Sequence, residues 1–313
     1  MRIIFLGSGP FGVPTLKRLC KEHELVGVVT QPDRPAGRRR TSTPTVIAQL
    51  AADQGLEILK DEDVNRPELV QRVAAWTADV AVVIAFGQKL GSGLVAALGK
   101  LVVNLHASLL PKYRGAAPIN LAVMEGETET GVSVIALAER MDAGEIYARA
   151  STPIDPRETA GELHDRLAEM GPAVIAQVIR QFAECTLTGE EQDESRVTRA
   201  PKLAKADGTI DFRGRAEQIR CRIHGLTPWP GVSVDWHRAS GGPTSKLILR
   251  RVAHEPGLSP GCPPGTVLEG LRVAVGDGAI RLLEVQVPGS RTMVMEDFVH
   301  GHPLGPGDRL VGE

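Results

Sequence analysis

With 313 residues, 42% of them hydrophobic and 24% charged, the chain has the composition of an ordinary globular protein with room for one large domain or two smaller ones. Its formal net charge of −2 excludes a polycation, so any nucleic-acid surface has to be local. The four scattered cysteines (Cys20, Cys185, Cys221, Cys262) form no CxxC pair, which argues for reduced thiols against a disulfide framework or a zinc site, and no apolar run approaches membrane-spanning length. The opening run Ile3–Leu6 is too short for a signal peptide, so a cytoplasmic protein with no membrane partner is expected.

In chain order, Arg2–Leu6 predicts a strand, followed by glycines and a helix over Val13–Cys20. Leu25–Thr30, Asp79–Ala85 and Leu101–Leu105 are further strands. Nearly all apolar and separated by helical segments, they predict a parallel sheet covered on both faces. Gly131–Leu137 and Glu145–Ala150 flank the turn Met141-Asp142-Ala143-Gly144 as an antiparallel hairpin, and a helix follows over Ala160–Ala183. Thr188–Ser195 is polar and acidic, as in a linker. Beyond Gly208, short runs such as Lys246–Leu249, Arg272–Val275 and Ala279–Leu283, punctuated by Gly and Pro, predict a small β-barrel or sandwich. The expected architecture is therefore a Rossmann-like, mostly parallel α/β domain over 1–187, a linker over 188–207, and a smaller OB-like β-barrel domain over 208–313.

Gly7-Ser8-Gly9-Pro10-Phe11-Gly12 fits G-x-G-x-x-G between a strand and a helix, the pattern of a dinucleotide site. The acidic residue such a site needs at the end of the second strand is missing, since Gln31 stands there. The alternative is a tight strand-to-helix turn.

Asn104 and His106 lie two apart at the carboxyl end of an apolar strand, which places both on one face where α/β sheets hold their ligands. An amide N–H and an imidazole side by side suit a carbonyl whose oxygen becomes negative. Taken alone, the pair is better explained as a packed, hydrogen-bonded histidine at a strand end. The string that follows, Ser108-Leu109-Leu110-Pro111-Lys112-Tyr113-Arg114-Gly115, has no amphipathic period to explain it.

On Asn104, His106 and Ser108–Pro111 together, the chain resembles the folate-dependent formyltransferases, whose signature is Asn-x-His followed by Ser-Leu-Leu-Pro. The resemblance implies a third catalytic residue, Asp142, in the turn Asp142-Ala143-Gly144. It implies 10-formyltetrahydrofolate as co-substrate, held by Ala85, Phe86, Gly87, Gln88 and Ser108, Leu109, Leu110, Pro111, with no metal and no covalent intermediate.

Two segments choose a branch of the family. Gln31–Arg38 looks like the loop that the branch acting on methionyl-tRNA carries after its second strand, and His224-Gly225-Leu226-Thr227-Pro228-Trp229-Pro230-Gly231 looks like that branch's Pro-Trp-Pro segment. After Gly37-Arg38 the chain runs Arg39-Arg40-Thr41, where relatives often carry lysines and a slightly longer stretch. The acceptor implied is the α-amino group of methionyl-initiator tRNA, with Arg34, Arg38, Arg39 and Arg40 as tRNA contacts and a monomer expected. Basic residues around the linker, from Arg196 to Arg222, fit phosphate binding. The rival readings are a formyltransferase for a small amine such as a sugar nucleotide or purine precursor, an NAD(P)-dependent oxidoreductase using the first glycine motif, and a non-catalytic tRNA-binding protein.

Overall fold

A computed structural model describes residues 1–36, 41–257 and 261–312. The chain falls into two compact units. One is built from Met1–Arg114, Gly131–Thr152 and His164–Arg199, the other from Gly115–Thr130, Pro153–Leu163 and the chain from Ala200 onward.

The first unit is organised by a seven-stranded sheet: β1 (Arg2–Gly7), β2 (Glu24–Thr30), β3 (Ile58–Lys60), β4 (Val80–Ile84), β5 (Leu101–His106), β6 (Glu129–Ala136) and β7 (Ile146–Pro153), in the order β7-β6-β5-β4-β1-β2-β3. β1 pairs in parallel with β2 and β4, β2 with β3, and β4 with β5, whereas β6 runs antiparallel to β5. All five residues of β4 are buried, as expected for a central parallel strand covered on both faces. The chain builds one side of the sheet with β2 and β3, then returns past β1 to start β4. The topological switch point, where open α/β sheets bind ligands beyond the carboxyl ends of their strands, thus lies between β1 and β4. Gly7 in the first glycine motif has a packing reason: a Cβ there would lie 2.6 Å from the Phe5 ring and 2.8 Å from the Ile84 carbonyl oxygen.

The second unit carries an antiparallel sheet of β8 (Val232–His237), β9 (Ser245–Pro256), β10 (Val267–Leu268), β11 (Arg272–Val275), β12 (Gly278–Gln286) and β13 (Arg309–Gly312), in the order β10-β11-β12-β9-β8-β13. It closes on itself: a bridge joins Thr266 to Arg309, and the Val267 amide donates to the Asp308 carbonyl at 2.8 Å. This is the small barrel expected from the turn-punctuated β runs, and closure removes the exposed sheet edges. Its interior is filled by Trp236, Leu247, Leu249, Ile280 and Phe298, with the Trp236 indole donating to Asp308 at 2.8 Å. β9 runs well past the expected Lys246–Leu249. Arg250 and Arg251 interrupt the apolar pattern, but their guanidinium groups bond Gln286 and Glu284 on the neighbouring strand, so the backbone continues through them.

His224, at the end of the helix Ala216–Gly225, is fully buried and accepts a hydrogen bond at Nε2 from the Val252 amide (3.2 Å). Among the described residues its Nδ1 has no partner. Burial, reinforced by the Arg220 and Arg251 cations, lowers its pKa to about 4. The unfolded chain therefore binds a proton that the folded unit refuses between pH 6.5 and 4. Stability should fall as pH drops through that window, by roughly 3 kcal/mol at most, and this loss should level off below pH 4. Unfolding measured from pH 7 to 4 should show the loss in the wild type and its absence in His224→Gln, which keeps an acceptor for Val252 but does not titrate.

Candidate active site

β5 ends at His106, and register pairs Asn104 with Val83 of β4 and Ile135 of β6, so both side chains sit at the carboxyl edge of the sheet. His106 is 6% exposed. Its Nε2 lies 2.9 Å from the Tyr113 carbonyl oxygen. A carbonyl can only accept, so Nε2 carries a proton and Nδ1 is the nitrogen left for chemistry. That nitrogen faces Asp142 Oδ2 at 3.5 Å, and the carboxylate itself is only 12% exposed. Asn104 is half-buried, and its amide makes no hydrogen bond among the described residues.

The string after His106 explains how the Tyr113 carbonyl reaches the imidazole. Ser108 Oγ donates to the Lys112 carbonyl at 2.6 Å. Ser133 Oγ donates to the Ser108 carbonyl (2.7 Å) and accepts from the Leu110 amide (3.1 Å). Leu110 packs with Ile135 and Ile146, and the Tyr113 amide donates to Thr198 Oγ1 at 2.8 Å. Tyr113 takes a left-handed backbone (φ 62°), which turns its carbonyl back toward His106. Ser108, Leu110 and Pro111 are thus buried parts of a loop that orients the histidine; Leu109 is half-buried.

Asp142 sits in the turn between β6 and β7, also left-handed (φ 54°). Asp tolerates this region better than most residues. Gly144 is required two residues on, because a Cβ there would fall 1.9 Å from the Ala136 carbonyl oxygen.

Beyond the ends of β1, β2 and β4 a cleft of about 420 Å³ opens, lined by Ser8, Gln31, Pro32, Arg34, Pro35, Thr43, Pro44, Thr45, Ala85, Phe86 and Gly87. It lies at the switch point of the sheet, on the same edge as Asn104 and His106. Three of the four residues expected around 85–88 line it. Gln88 does not: its amide accepts from Val64 N–H (3.1 Å) and donates to the Asp61 carbonyl (2.8 Å), which pins the 61–64 loop. Gln31 donates to the Phe86 carbonyl at 3.2 Å, bracing the loop where a dinucleotide site would need an acid. Arg34 lines the cleft and pairs with Glu62 at 3.3 Å, well exposed to solvent. Arg38, Arg39 and Arg40 lie outside the described residues. Among the described residues there is no cluster that could hold a metal ion and no helix long and apolar enough to cross a membrane.

Sequence reasoning overlooked Tyr113, whose carbonyl does the orienting, and Gln192, which donates to the carbonyls of Asp142 and Gly144 at 2.8 and 2.7 Å. Backbone acceptors leave no trace in side-chain chemistry, and Gln192 lies in a polar run that reads as linker.

Residues 1–179 match the family described as formyl transferase, and residues 202–303 match the formyl transferase C-terminal domain. The chain is 39% identical to the methionyl-tRNA formyltransferase of Geobacter metallireducens, over 99% of this chain and 98% of that one. It is 38% identical to that of Akkermansia muciniphila, over 97% of each. Among solved structures it resembles WlaRD, a sugar 3N-formyl transferase in the presence of dTDP and 5-N-formyl-THF (TM-score 0.64, 15% identity, 93% of this chain and 99% of that one). It also resembles HypX from Aquifex aeolicus in complex with tetrahydrofolic acid (TM-score 0.60, 16% identity, 96% of this chain and 47% of that one).

Proposed function

The chain belongs to the methionyl-tRNA formyltransferase family, and on that premise we propose that it moves the formyl group of 10-formyltetrahydrofolate onto the α-amino group of methionyl-initiator tRNA. The observation that carries the chemistry is the meeting of Asn104, His106 and Asp142 at the carboxyl edge of β5, with the imidazole's Nδ1 facing the carboxylate.

The cleft suits a flat, partly polar donor. Pro32, Pro44 and Phe86 give it apolar walls, while Ala85 (φ 46°) and Gly87 (φ 84°) hold an exposed loop in left-handed conformations that present backbone to the opening. Ala85, Phe86 and Gly87 would hold the pteridine. Ser108, Leu110 and Pro111 serve the site by shaping the His106 loop.

Asn104 donates its amide N–H to the formyl oxygen, which gains negative charge as the amine nitrogen bonds to the formyl carbon. His106 Nδ1 bears on the same centre, held in place because Nε2 is committed to Tyr113. Asp142 orients the imidazole or a water molecule and carries the proton from the attacking amine toward the departing folate nitrogen. Holding both substrates at one sheet edge replaces a bimolecular encounter by an oriented one.

Similarity at nearly 40% over both units supports a tRNA acceptor over the small amines of the sugar enzymes, which share about 15%. The test is direct: purified protein with 10-formyltetrahydrofolate should formylate charged initiator tRNA and leave amino-sugar nucleotides and purine-precursor amines unmodified. Formylation of a small amine at a comparable rate would reverse the acceptor assignment. Arg38→Ala should lower kcat/KM for the tRNA by about 10- to 100-fold, the worth of a charge-assisted phosphate contact, with folate KM unchanged. Arg39→Ala and Arg40→Ala should mainly reduce the salt dependence of tRNA binding. A triple variant with unaltered tRNA kinetics would leave tRNA recognition to the C-terminal unit.

A further inference from the structure

We propose that Gln192 is the positioning residue of the catalytic pair, setting the distance between Asp142 and His106 from a segment that belongs to neither strand. The inference rests on the catalytic reading above and adds to it how the geometry is held.

Asp142 is a non-glycine residue in a left-handed backbone, a conformation that persists only where the surroundings over-determine it. One side-chain amide supplies two of the hydrogen bonds that hold this turn. Gln192 Nε2 donates its two hydrogens to the carbonyls of Asp142 (2.8 Å) and Gly144 (2.7 Å). Its Oε1 accepts from Arg114 Nε (3.0 Å) and Nη2 (2.8 Å). All four hydrogen-bonding positions of the amide are used, and its orientation is unambiguous, because carbonyls only accept and a guanidinium only donates.

The partners are themselves fixed. The Arg114 side chain is 5% exposed and also bonds Glu194 at 2.9 Å, which in turn pairs at 2.8 Å with Arg140, two residues before Asp142. Hydrogen bonds from Arg114 and Arg140 hold the Glu194 carboxyl below the usual carboxylate range. On the near side, Ile146 and Glu190 exchange backbone hydrogen bonds of 2.8 and 2.9 Å, which lays residues 190–194 alongside the catalytic turn. On the far side, Arg114 follows Tyr113 directly, and the Tyr113 carbonyl orients His106. One amide therefore ties the turn carrying the carboxylate to the loop that orients the imidazole. The 3.5 Å between Nδ1 and Oδ2 is fixed through Gln192.

The experiment is a double-mutant cycle on the full-length protein, read by kcat, by KM for each substrate, by thermal unfolding and by the imidazole NMR signals of His106. Gln192→Ala should lower kcat about 10- to 100-fold with both KM values within about threefold, and should shift the His106 imidazole resonances. In an Asp142→Asn background the same change should cost no more than about twofold, because there is no carboxylate left to position. Gln192→Glu accepts both Arg114 hydrogen bonds but donates to neither carbonyl. Its second oxygen faces the two carbonyls it cannot donate to, so kcat should not recover whatever stability its ion pair with Arg114 restores, and it carries the cycle if Gln192→Ala unfolds at the assay temperature. Recovery of kcat together with stability, an equal loss in both backgrounds, or wild-type kcat in Gln192→Ala would each overturn the proposal. An Asp142→Asn enzyme with full activity would instead remove the catalytic reading beneath it.

Discussion

His106→Ala should lower single-turnover formylation by about 10²- to 10⁴-fold, the range for a group that serves proton transfer or oxyanion stabilisation. The imidazole has one nitrogen committed to the Tyr113 carbonyl and the other facing Asp142, so both of its nitrogens are engaged in the site. Asn104→Ala should cost about 10²- to 10³-fold, since the half-buried amide makes no hydrogen bond among the described residues and can give its N–H to a substrate oxygen. Asp142→Asn keeps the shape of the turn and removes the charge, with a similar loss. The three losses should not add, because the groups act on one centre, and the triple variant should be little worse than the worst single one. His106→Ala also removes the imidazole's hydrogen bond to the Tyr113 carbonyl, at about 0.5–1.5 kcal/mol of stability, so rates are compared where each variant is folded. Near-normal turnover in all three would end the assignment.

Gly144→Val should lower formylation by about 100-fold while leaving most of the fold standing. Its Cβ would fall 1.9 Å from the Ala136 carbonyl oxygen and 2.7 Å from the carbonyl carbon, both backbone atoms that no rotamer change can move. Ala136 cannot withdraw freely either, because its amide donates to the Glu145 carbonyl at 2.9 Å across the same hairpin. The turn itself must shift, and it carries Asp142. Overpacking of this kind costs about 1–3 kcal/mol, which a large α/β unit tolerates, whereas a displacement of about 1 Å at the carboxylate is worth about 100-fold in rate. Circular dichroism near wild type with formylation down about 100-fold is the expected pair of results. A Gly144→Val enzyme that still turns over normally would show that the turn's position does not matter.

The central strands were legible because burial on both faces makes them continuous apolar runs; Val80–Ile84 is fully buried, as its composition implies. The hairpin around Asp142 and the helix Ala160–Ala183 declared themselves by turn residues and by length. The helix Ala216–Gly225 did not, because it buries Arg220 and His224 along with its apolar residues, and no clean amphipathic stripe remains. The site was legible as types of residue and illegible as geometry. Asn104, His106 and Asp142 are of residue types and in a motif that the sequence can name, and the catalytic role proposed for them rests on that. Ser108, Leu110 and Pro111 are instead buried in the loop that aims a backbone carbonyl, and Gln88 holds a neighbouring loop; side-chain identity does not distinguish these duties from ligand contact.

The residues that fasten the site come late in the chain. Thr198, Gln192 and the Glu190 bridge belong to the first unit, yet all are made after the seventh strand of its sheet and after the long helix that follows it. A nascent chain that has emerged through residue 187 holds every strand of the sheet together with Asn104, His106 and Asp142, but not Thr198, Gln192 or Glu190, which bond Tyr113, the Asp142 turn and Ile146. At ordinary synthesis speeds the missing dozen or so residues follow on the order of a second later. The order of birth is therefore framework first and chemistry second, and a ribosome stalled in that interval would display a folded sheet with a slack active site.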